Sequence, residues 1–131
     1  MGEILFLTTD EITAIHQDQI ERHGGSLGVR DEGLLESAVA MPQASFAGQR
    51  LHETIPAIAA AYLFHLVQNH AFIDGNKRVG AASAIVFLKM NGYEVTADEK
   101  EFEELVLAVA AGPLDKTAIF QFLERNVRQG G

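Results

Sequence analysis

The stretch HAFIDGNKRVG, residues 70–80, places an imidazole, a carboxylate, an amide, two cations and two glycines within eleven positions. Apolar sequence flanks it on both sides, AAAYLFHLV before and AASAIVFL after, and both segments have the composition of core helices. Polar groups this dense between two core-like segments form either an ordinary loop or a site that the flanking helices hold.

A helix is predicted to begin inside this stretch, with Asn76 as its N-cap and an end near Asn91 and Gly92. Its segment VGAASAIVFLKM is apolar nearly all round, which predicts the central buried helix. A helix N-terminus carries unpaired N–H groups and a partial positive charge, so Lys77 and Arg78 in its first turn are disfavoured there without an anion. Phosphate is the natural candidate.

The neighbouring residues fit chemistry on a phosphate. Gly75 allows the chain to approach a ligand closely. The carboxylate of Asp74 would repel a phosphate unless a divalent cation lay between them, which implies Mg²⁺. His70 is suited to take a proton from a hydroxyl, so the set indicates transfer of a phosphate-containing group. Spacing alone leaves a second interpretation open. In it the stretch is an ordinary loop, with Asn76 as a helix cap, Asp74 as a turn residue and His70 as the last residue of a helix.

Helical signals also dominate the rest of the chain, which predicts an all-α fold over residues 1–131 as a single domain. Capping residues and capping boxes mark the expected helix starts: Thr8 with Glu11, Asp31, Thr54 with Pro56, Asn76, Thr96 with Glu99, and Asp115. The last of these helices is expected to reach about Arg128. Strand content is expected only at residues 4–7, in an extended loop or short hairpin at 43–50, and at 93–95.

Composition narrows the function classes. Cysteine is absent, which excludes disulfides, a thiolate nucleophile and cysteine-ligated metals. Ten basic and eighteen acidic residues give a net charge of -8, and no basic face for nucleic acid is apparent. Neither a signal peptide nor an apolar run long enough for a membrane span is visible, so we expect a cytoplasmic protein without a membrane or nucleic-acid partner.

The remaining candidate residues have ordinary interpretations. His65 is expected to be a packed or hydrogen-bonded helix residue rather than a metal ligand, because it lies five positions before His70. Surface or capping roles are the default for three isolated histidines, which are His16, His23 and His52. Arg30 and Asp31 are expected to form an ion pair or a cap.

HAFIDGNKR resembles the signature of the Fic fold, which has a His, a Phe two residues later and then Gly-Asn-Gly-Arg. With Lys in place of the second Gly and Asp before the first, it resembles the death-on-curing (Doc) toxins of bacterial toxin–antitoxin modules. The resemblance extends beyond the signature, and four segments that look like that family cover most of the chain: residues 29–43, 55–78, 87–95 and 104–116.

The resemblance implies a Fic-fold helical bundle and a role for each residue of the signature. His70 would be the general base and Asp74 would hold Mg²⁺ on the nucleotide phosphates. Gly75 and Asn76, with nearby backbone amides, would form the anion hole, and Arg78 would bind phosphate. The implied target is a threonine of elongation factor Tu.

Lys77 implies that the γ-phosphate of ATP is transferred, because Doc toxins carry this change and bind ATP in the reversed sense. Adenylylating relatives usually have a second Arg where this chain has Ala81, which speaks against transfer of AMP. Ala82 offers no polar group where some relatives have one, so details of nucleotide contact stay open. An AMP transferase, a non-catalytic binding domain and phosphoryl transfer to another substrate are the alternatives.

The resemblance also bears on regulation. Many Fic enzymes inhibit themselves with a Ser or Thr followed four residues later by Glu, and this chain has no such pair. We therefore expect a separate antitoxin with a segment that is disordered until it binds.

The loop at 43–52 is either a flap that aligns the target chain or a plain connector.

Overall fold

A computed structural model describes residues 3–130. Over that range the chain forms six α-helices, one 3₁₀ helix at Met41–Gln43 and four short strands. The helices are α1 Thr9–His23, α2 Glu32–Ala40, α3 Ile55–Asn69, α4 Asn76–Met90, α5 Glu99–Ala111 and α6 Lys116–Arg125. The strands are β1 Ser45–Phe46, β2 Gln49–Arg50, β3 Tyr93–Val95 and β4 Val127–Gln129, and they form the antiparallel pairs β1–β2 and β3–β4. The predicted all-α bundle with a short hairpin is confirmed.

Most helix starts follow from local capping. Thr8 and Glu11 form the predicted capping box at the start of α1. Side-chain caps at the starts of α2, α3 and α6 are confirmed as well, from Asp31, Thr54 and Asp115.

The capping box predicted at Thr96 is wrong. Helix α5 begins only at Glu99, and the residue before it, Asp98, makes no capping bond through its side chain. The N–H of Thr96 donates instead to the carbonyl of Asn126 at 2.7 Å. That bond continues the pairing of β3 and β4 by one residue, so the backbone of Thr96 is bonded to the end of the chain rather than to the start of α5.

The central helix is α3 rather than the predicted α4. Helix α3 has nine buried residues against six in α4, and it packs against α2, α4, α5 and α6. Helix α4 keeps one side partly open, along a groove that its residues from Lys77 to Ile85 line. The two helices approach closely at Gly80, where an added Cβ would lie 2.6 Å from a methyl carbon of Val67. Close packing of α3 on α4 therefore fixes both ends of the loop between them.

Two further boundaries differ from the prediction. Residues 4–7 do not form a strand, and the backbone of Leu5 bonds to the Asn91 side chain at 2.9 and 3.0 Å instead. The final helix stops at Arg125, because the following residues pair with β3 as strand β4. Within residues 3–130, no helix is both long and apolar enough to cross a membrane.

Candidate functional site

The loop between α3 and α4 begins at His70, which is exposed and lies at the C-cap of α3. Its backbone is left-handed, with φ 51° and ψ 46°, which is uncommon for a residue other than glycine. The Arg30 guanidinium donates to the His70 carbonyl at 2.7 Å and to the Asn69 carbonyl at 3.4 Å. Arg30 thus caps the carboxyl end of α3, one of the two roles predicted for it, and holds His70 in this conformation.

Phe72 anchors the middle of the loop. It is 1% exposed, so its ring is fixed in the core. The Asn76 side chain accepts from the Phe72 N–H and donates to the Phe72 carbonyl, both at 3.0 Å.

The prediction that Asn76 caps α4 is therefore wrong. The N-cap position belongs to Gly75, with φ 76°, and no side chain caps the helix there. Because the Asn76 amide is committed to Phe72, only the backbone N–H of Asn76 is available to an anion.

His16 joins the same loop from α1, which sequence reasoning missed. Its side chain is 2% exposed, so the default surface or capping role is wrong for this histidine. The imidazole stacks on Phe72 with ring centroids 3.9 Å apart, and Nε2 lies 2.7 Å from the Asp74 carbonyl oxygen. The available signal was its spacing of four residues from both Ile12 and Ile20, which puts it on the buried face of α1.

Asp74 presents an exposed, ionised carboxylate. Its Oδ2 accepts from the Ser26 N–H at 3.1 Å and its Oδ1 accepts from the Gly75 N–H at 2.8 Å. These two bonds, first that from Ser26 and then that from Gly75, hold the pKa of the Asp74 carboxyl below its usual range, and the charge of Arg78 adds to the effect.

The glycine pair after α1 completes this side of the site. Gly24 accepts a hydrogen bond at 2.8 Å from Arg78 Nη1 through its carbonyl oxygen. A Cβ added at Gly25, where φ is 120°, would lie 2.7 Å from Asp74 Oδ2 and 3.2 Å from Arg78 Nη2. The absence of side chains at both positions lets the backbone approach Asp74 and Arg78.

The first turn of α4 leaves donors free. The first N–H to bond along the helix is that of Val79, to the Gly75 carbonyl at 2.9 Å. No acceptor within residues 3–130 pairs with the N–H groups of residues 76–78. The Lys77 side chain is exposed and makes no hydrogen bond or ion pair with any part of the chain that the structure describes.

An exposed imidazole therefore begins this loop, and an ionised carboxylate, two cations and free N–H groups lie at its other end, where α4 starts. Among the described residues, no group of three or more side chains could hold a metal by itself. The lone Asp74 carboxylate fits Mg²⁺, which proteins often bind through one or two carboxylates together with substrate phosphates and water.

A groove of about 470 Å³ opens beside this site, between α1, α4 and α5. Lys77 and Arg78 lie on its wall, and its lining is mainly apolar. The apolar lining residues are Ala81, Ala82, Ile85, Phe102, Val106 and Leu107.

Of the three other histidines, His52 and His65 make their contacts elsewhere, whereas His23 lines the groove beside Lys77 and Arg78. His65 is hydrogen-bonded on α3, as predicted, with Nε2 3.1 Å from Lys116 Nζ. His52 is not a surface or capping residue, because its Nε2 lies 3.3 Å from the same amine. His23 is exposed at the end of α1, as expected.

The sequence of this chain is similar to those of known proteins. Residues 6–88 match the Fic/DOC family. The chain is similar to Toxin Doc of Mycolicibacterium smegmatis, with 44% identity over 98 residues, which cover 73% of this chain and 75% of the relative. It is also similar to Protein kinase doc of Escherichia phage P1, with 31% identity over 119 residues, which cover 91% of this chain and 93% of the relative.

Proposed function

The chain belongs to the Fic/Doc family, and we propose that it is the toxin of a bacterial toxin–antitoxin module that transfers the γ-phosphate of ATP to a protein hydroxyl. The target we propose is a threonine of elongation factor Tu. One observation supports this above all: the Asp74 carboxylate, the Arg78 guanidinium and the free N–H groups of residues 76–78 lie together at the start of α4, at the end of the loop that His70 begins. The names of the two relatives, one a toxin and one a protein kinase, agree with it.

The nucleotide phosphates would lie against the first turn of α4. The N–H groups of residues 76–78 would donate to phosphate oxygens, and the helix dipole would favour their charge. Arg78 is already oriented by the Gly24 carbonyl, so its guanidinium would meet the phosphates without a large loss of side-chain freedom. Mg²⁺, held by Asp74 and the phosphates, would neutralise charge on the transferred group.

His70 would act as the general base. Its imidazole would take the proton from the target hydroxyl as the hydroxyl oxygen forms a bond to the γ-phosphorus. The bond from that phosphorus to the β–γ bridging oxygen then breaks, and ADP leaves. The left-handed backbone at His70, fixed by Arg30, sets the direction from which the base meets the hydroxyl.

Lys77 supports phosphate rather than AMP transfer. A glycine here would leave bare amides for a diphosphate lying along the backbone, whereas lysine adds a stem and a charge in the same turn. The phosphates then bind differently, and in-line geometry decides which phosphorus faces the hydroxyl. Ala81 lacks the guanidinium that adenylylating relatives usually have one turn further along.

The test is the variant Lys77→Gly, assayed with ATP labelled at the γ position and, separately, at the α position. We expect a strong loss of γ-label transfer, because a misplacement of about 1 Å can lower a rate roughly 10²-fold. Lys89→Gly is the matched control, since Lys89 is exposed near the other end of α4. Unchanged γ-label transfer by Lys77→Gly removes this argument, and α-label transfer by the wild type makes the protein an AMP transferase.

A cognate antitoxin is part of the proposal. Its disordered segment would fold as an amphipathic helix in the groove between α1, α4 and α5. The apolar floor suits one face of such a helix, and Lys77 and Arg78 stand at the wall beside the proposed nucleotide site. A helix bound there would block the phosphates from the first turn of α4.

A further inference from the structure

His16 lies where an apolar residue would be expected. It occupies the buried face of α1 between Ile12 and Ile20, and only 2% of it is exposed. Burying an imidazole is unfavourable unless its polar atoms are bonded. Its bond to the Asp74 carbonyl joins residues 58 positions apart, so the ring links α1 to the loop rather than stabilising its own helix.

The imidazole contacts the loop on both sides of Ile73. Its ring stacks on Phe72 at 3.9 Å with the two planes 9° apart. Its Nε2 bonds the Asp74 carbonyl at 2.7 Å, and since a carbonyl only accepts, Nε2 carries the hydrogen. Phe72 is fixed independently by Asn76, so the bond to Asp74 is the contact by which His16 orients the backbone between the loop and α4.

That bond determines the direction of one peptide group. The Asp74 carbonyl and the Gly75 N–H belong to a planar trans peptide, in which they point in opposite directions. With the carbonyl held by His16, the N–H points away from Nε2 and donates to Asp74 Oδ1 at 2.8 Å. Gly75 has no Cβ to restrict its backbone, so this peptide would otherwise be free to rotate.

We propose that His16 is a positioning residue for the site. Its Nε2–H fixes the peptide between Asp74 and Gly75, and through that peptide it fixes the Asp74 carboxylate and the start of α4. The positioning follows from the geometry alone, whereas its use in phosphoryl transfer rests on the proposed function.

Two substitutions separate the hydrogen bond from packing. His16→Phe keeps an aromatic ring against Phe72 but removes the donor. His16→Gln keeps an N–H donor at similar reach but removes the ring. Ile12→Val is the matched control, because Ile12 is fully buried on the same face of α1 and loses only a methyl group.

The first measurement is ¹⁵N relaxation of the backbone amides of the full chain. We expect the wild type, His16→Gln and Ile12→Val to give an order parameter of about 0.85 at Gly75, the value of rigid backbone. His16→Phe should lower it towards about 0.6, with the helices unchanged. An unchanged Gly75 in His16→Phe overturns the proposal, and equal loosening in His16→Gln assigns the effect to packing and overturns it as well.

The second measurement is the kinetics of phosphate transfer. We expect His16→Phe to lower kcat by roughly 10²-fold, the cost of a misplacement of about 1 Å, with recovery in His16→Gln. Wild-type kcat in His16→Phe would contradict the catalytic consequence. If the wild type transfers no phosphate, the proposed function fails, and the relaxation measurement still decides the role of His16.

Discussion

His70 is held in a conformation that it would not adopt without help. A left-handed backbone at a residue other than glycine costs about 1–3 kcal/mol and persists only where the surroundings impose it. Here the guanidinium of Arg30 imposes it by bonding two carbonyls at the end of α3. The orientation of the proposed base therefore depends on a residue that lies 40 positions away in sequence.

We predict that Arg30→Leu loosens His70 and lowers activity. Removing the donors leaves two carbonyls at the end of α3 bonded to water instead, which should cost about 0.5–1.5 kcal/mol at this exposed position. Transfer activity should fall by more than tenfold, because the base loses its direction. Urea unfolding and a phosphate-transfer assay measure the two effects.

The control for this prediction is Arg22→Leu. Arg22 is also exposed, and its single ion pair with Asp18 lies along one helix, where such pairs contribute about 0.3–0.5 kcal/mol. Equal activity in Arg30→Leu and Arg22→Leu would show that Arg30 does not orient the base.

At the residue scale, the sequence indicated candidate residues for the site but not the contacts that support them. His70, Asp74 and Arg78 stay candidates, named because their chemistry is dense within one short stretch. His16 and Ser26 were missed, because each reaches Asp74 only after α1 folds across the loop. The predicted role of Asn76 as a helix cap was wrong. An Asn that caps a helix and an Asn whose side chain bonds the backbone of the preceding loop have the same sequence pattern.

At the scale of elements, a cluster of titratable groups joins three segments. His52 precedes α3, His65 lies on it, and Lys116 begins α6, with both imidazole Nε2 atoms within 3.3 Å of the Lys116 amine. Burial, then Lys116 and then His52 lower the pKa of His65 to about 4, and burial and then Lys116 lower that of His52. Both rings therefore stay neutral at physiological pH.

This cluster predicts that the stability of the fold falls at acidic pH, because His65 must then be protonated. Between the ordinary histidine pKa near 6.5 and a pKa of about 4, the unfolded chain binds a proton on His65 that the folded chain does not. Stability contributed by the neutral ring is thus complete above about pH 6.5 and is lost as the pH falls towards 4. In thermal melts from pH 8 to 4.5, His65→Leu should lose less Tm than the wild type.

The comparison isolates the His65 ring, because both proteins carry the same carboxylates. The melting temperature of each protein at pH 8 serves as its own reference. Parallel curves for wild type and His65→Leu would mean that the His65 ring does not resist protonation in the fold.

Helix starts with local caps could be predicted, and boundaries set by distant partners could not. Thr8, Asp31, Thr54 and Asp115 cap within three residues, so each signal is complete in sequence. By contrast, β4 and the late start of α5 exist because residues 93–96 pair with the end of the chain. The choice of α3 over α4 as the central helix likewise depends on how many elements surround each.

At the scale of the whole molecule, an acidic protein with a net charge of -8 presents Lys77 and Arg78 together beside an apolar groove. We predict that Leu107→Glu weakens the binding of the proposed antitoxin and leaves the activity of this chain unchanged, because it places a charge on an exposed residue that lines the groove. Cells that express the variant should stop growing even with the antitoxin present, and the pair should no longer co-purify.

Leu5→Glu is the matched control, because Leu5 is similarly exposed and lies outside the groove. Full neutralisation and co-purification of Leu107→Glu would place the antitoxin on another surface.

The fold class and most helices could be predicted at this scale, but the groove depends on how α1 and α5 sit across α4.

The intact mass of elongation factor Tu, after incubation with this protein, ATP and Mg²⁺, tests the central claim most directly. We predict a gain of one phosphoryl group with the wild-type chain and no gain with His70→Ala, since loss of a positioned base typically lowers a rate 10²- to 10⁴-fold. A gain of one AMP group, an unchanged mass with the wild type, or full modification by His70→Ala would contradict the account.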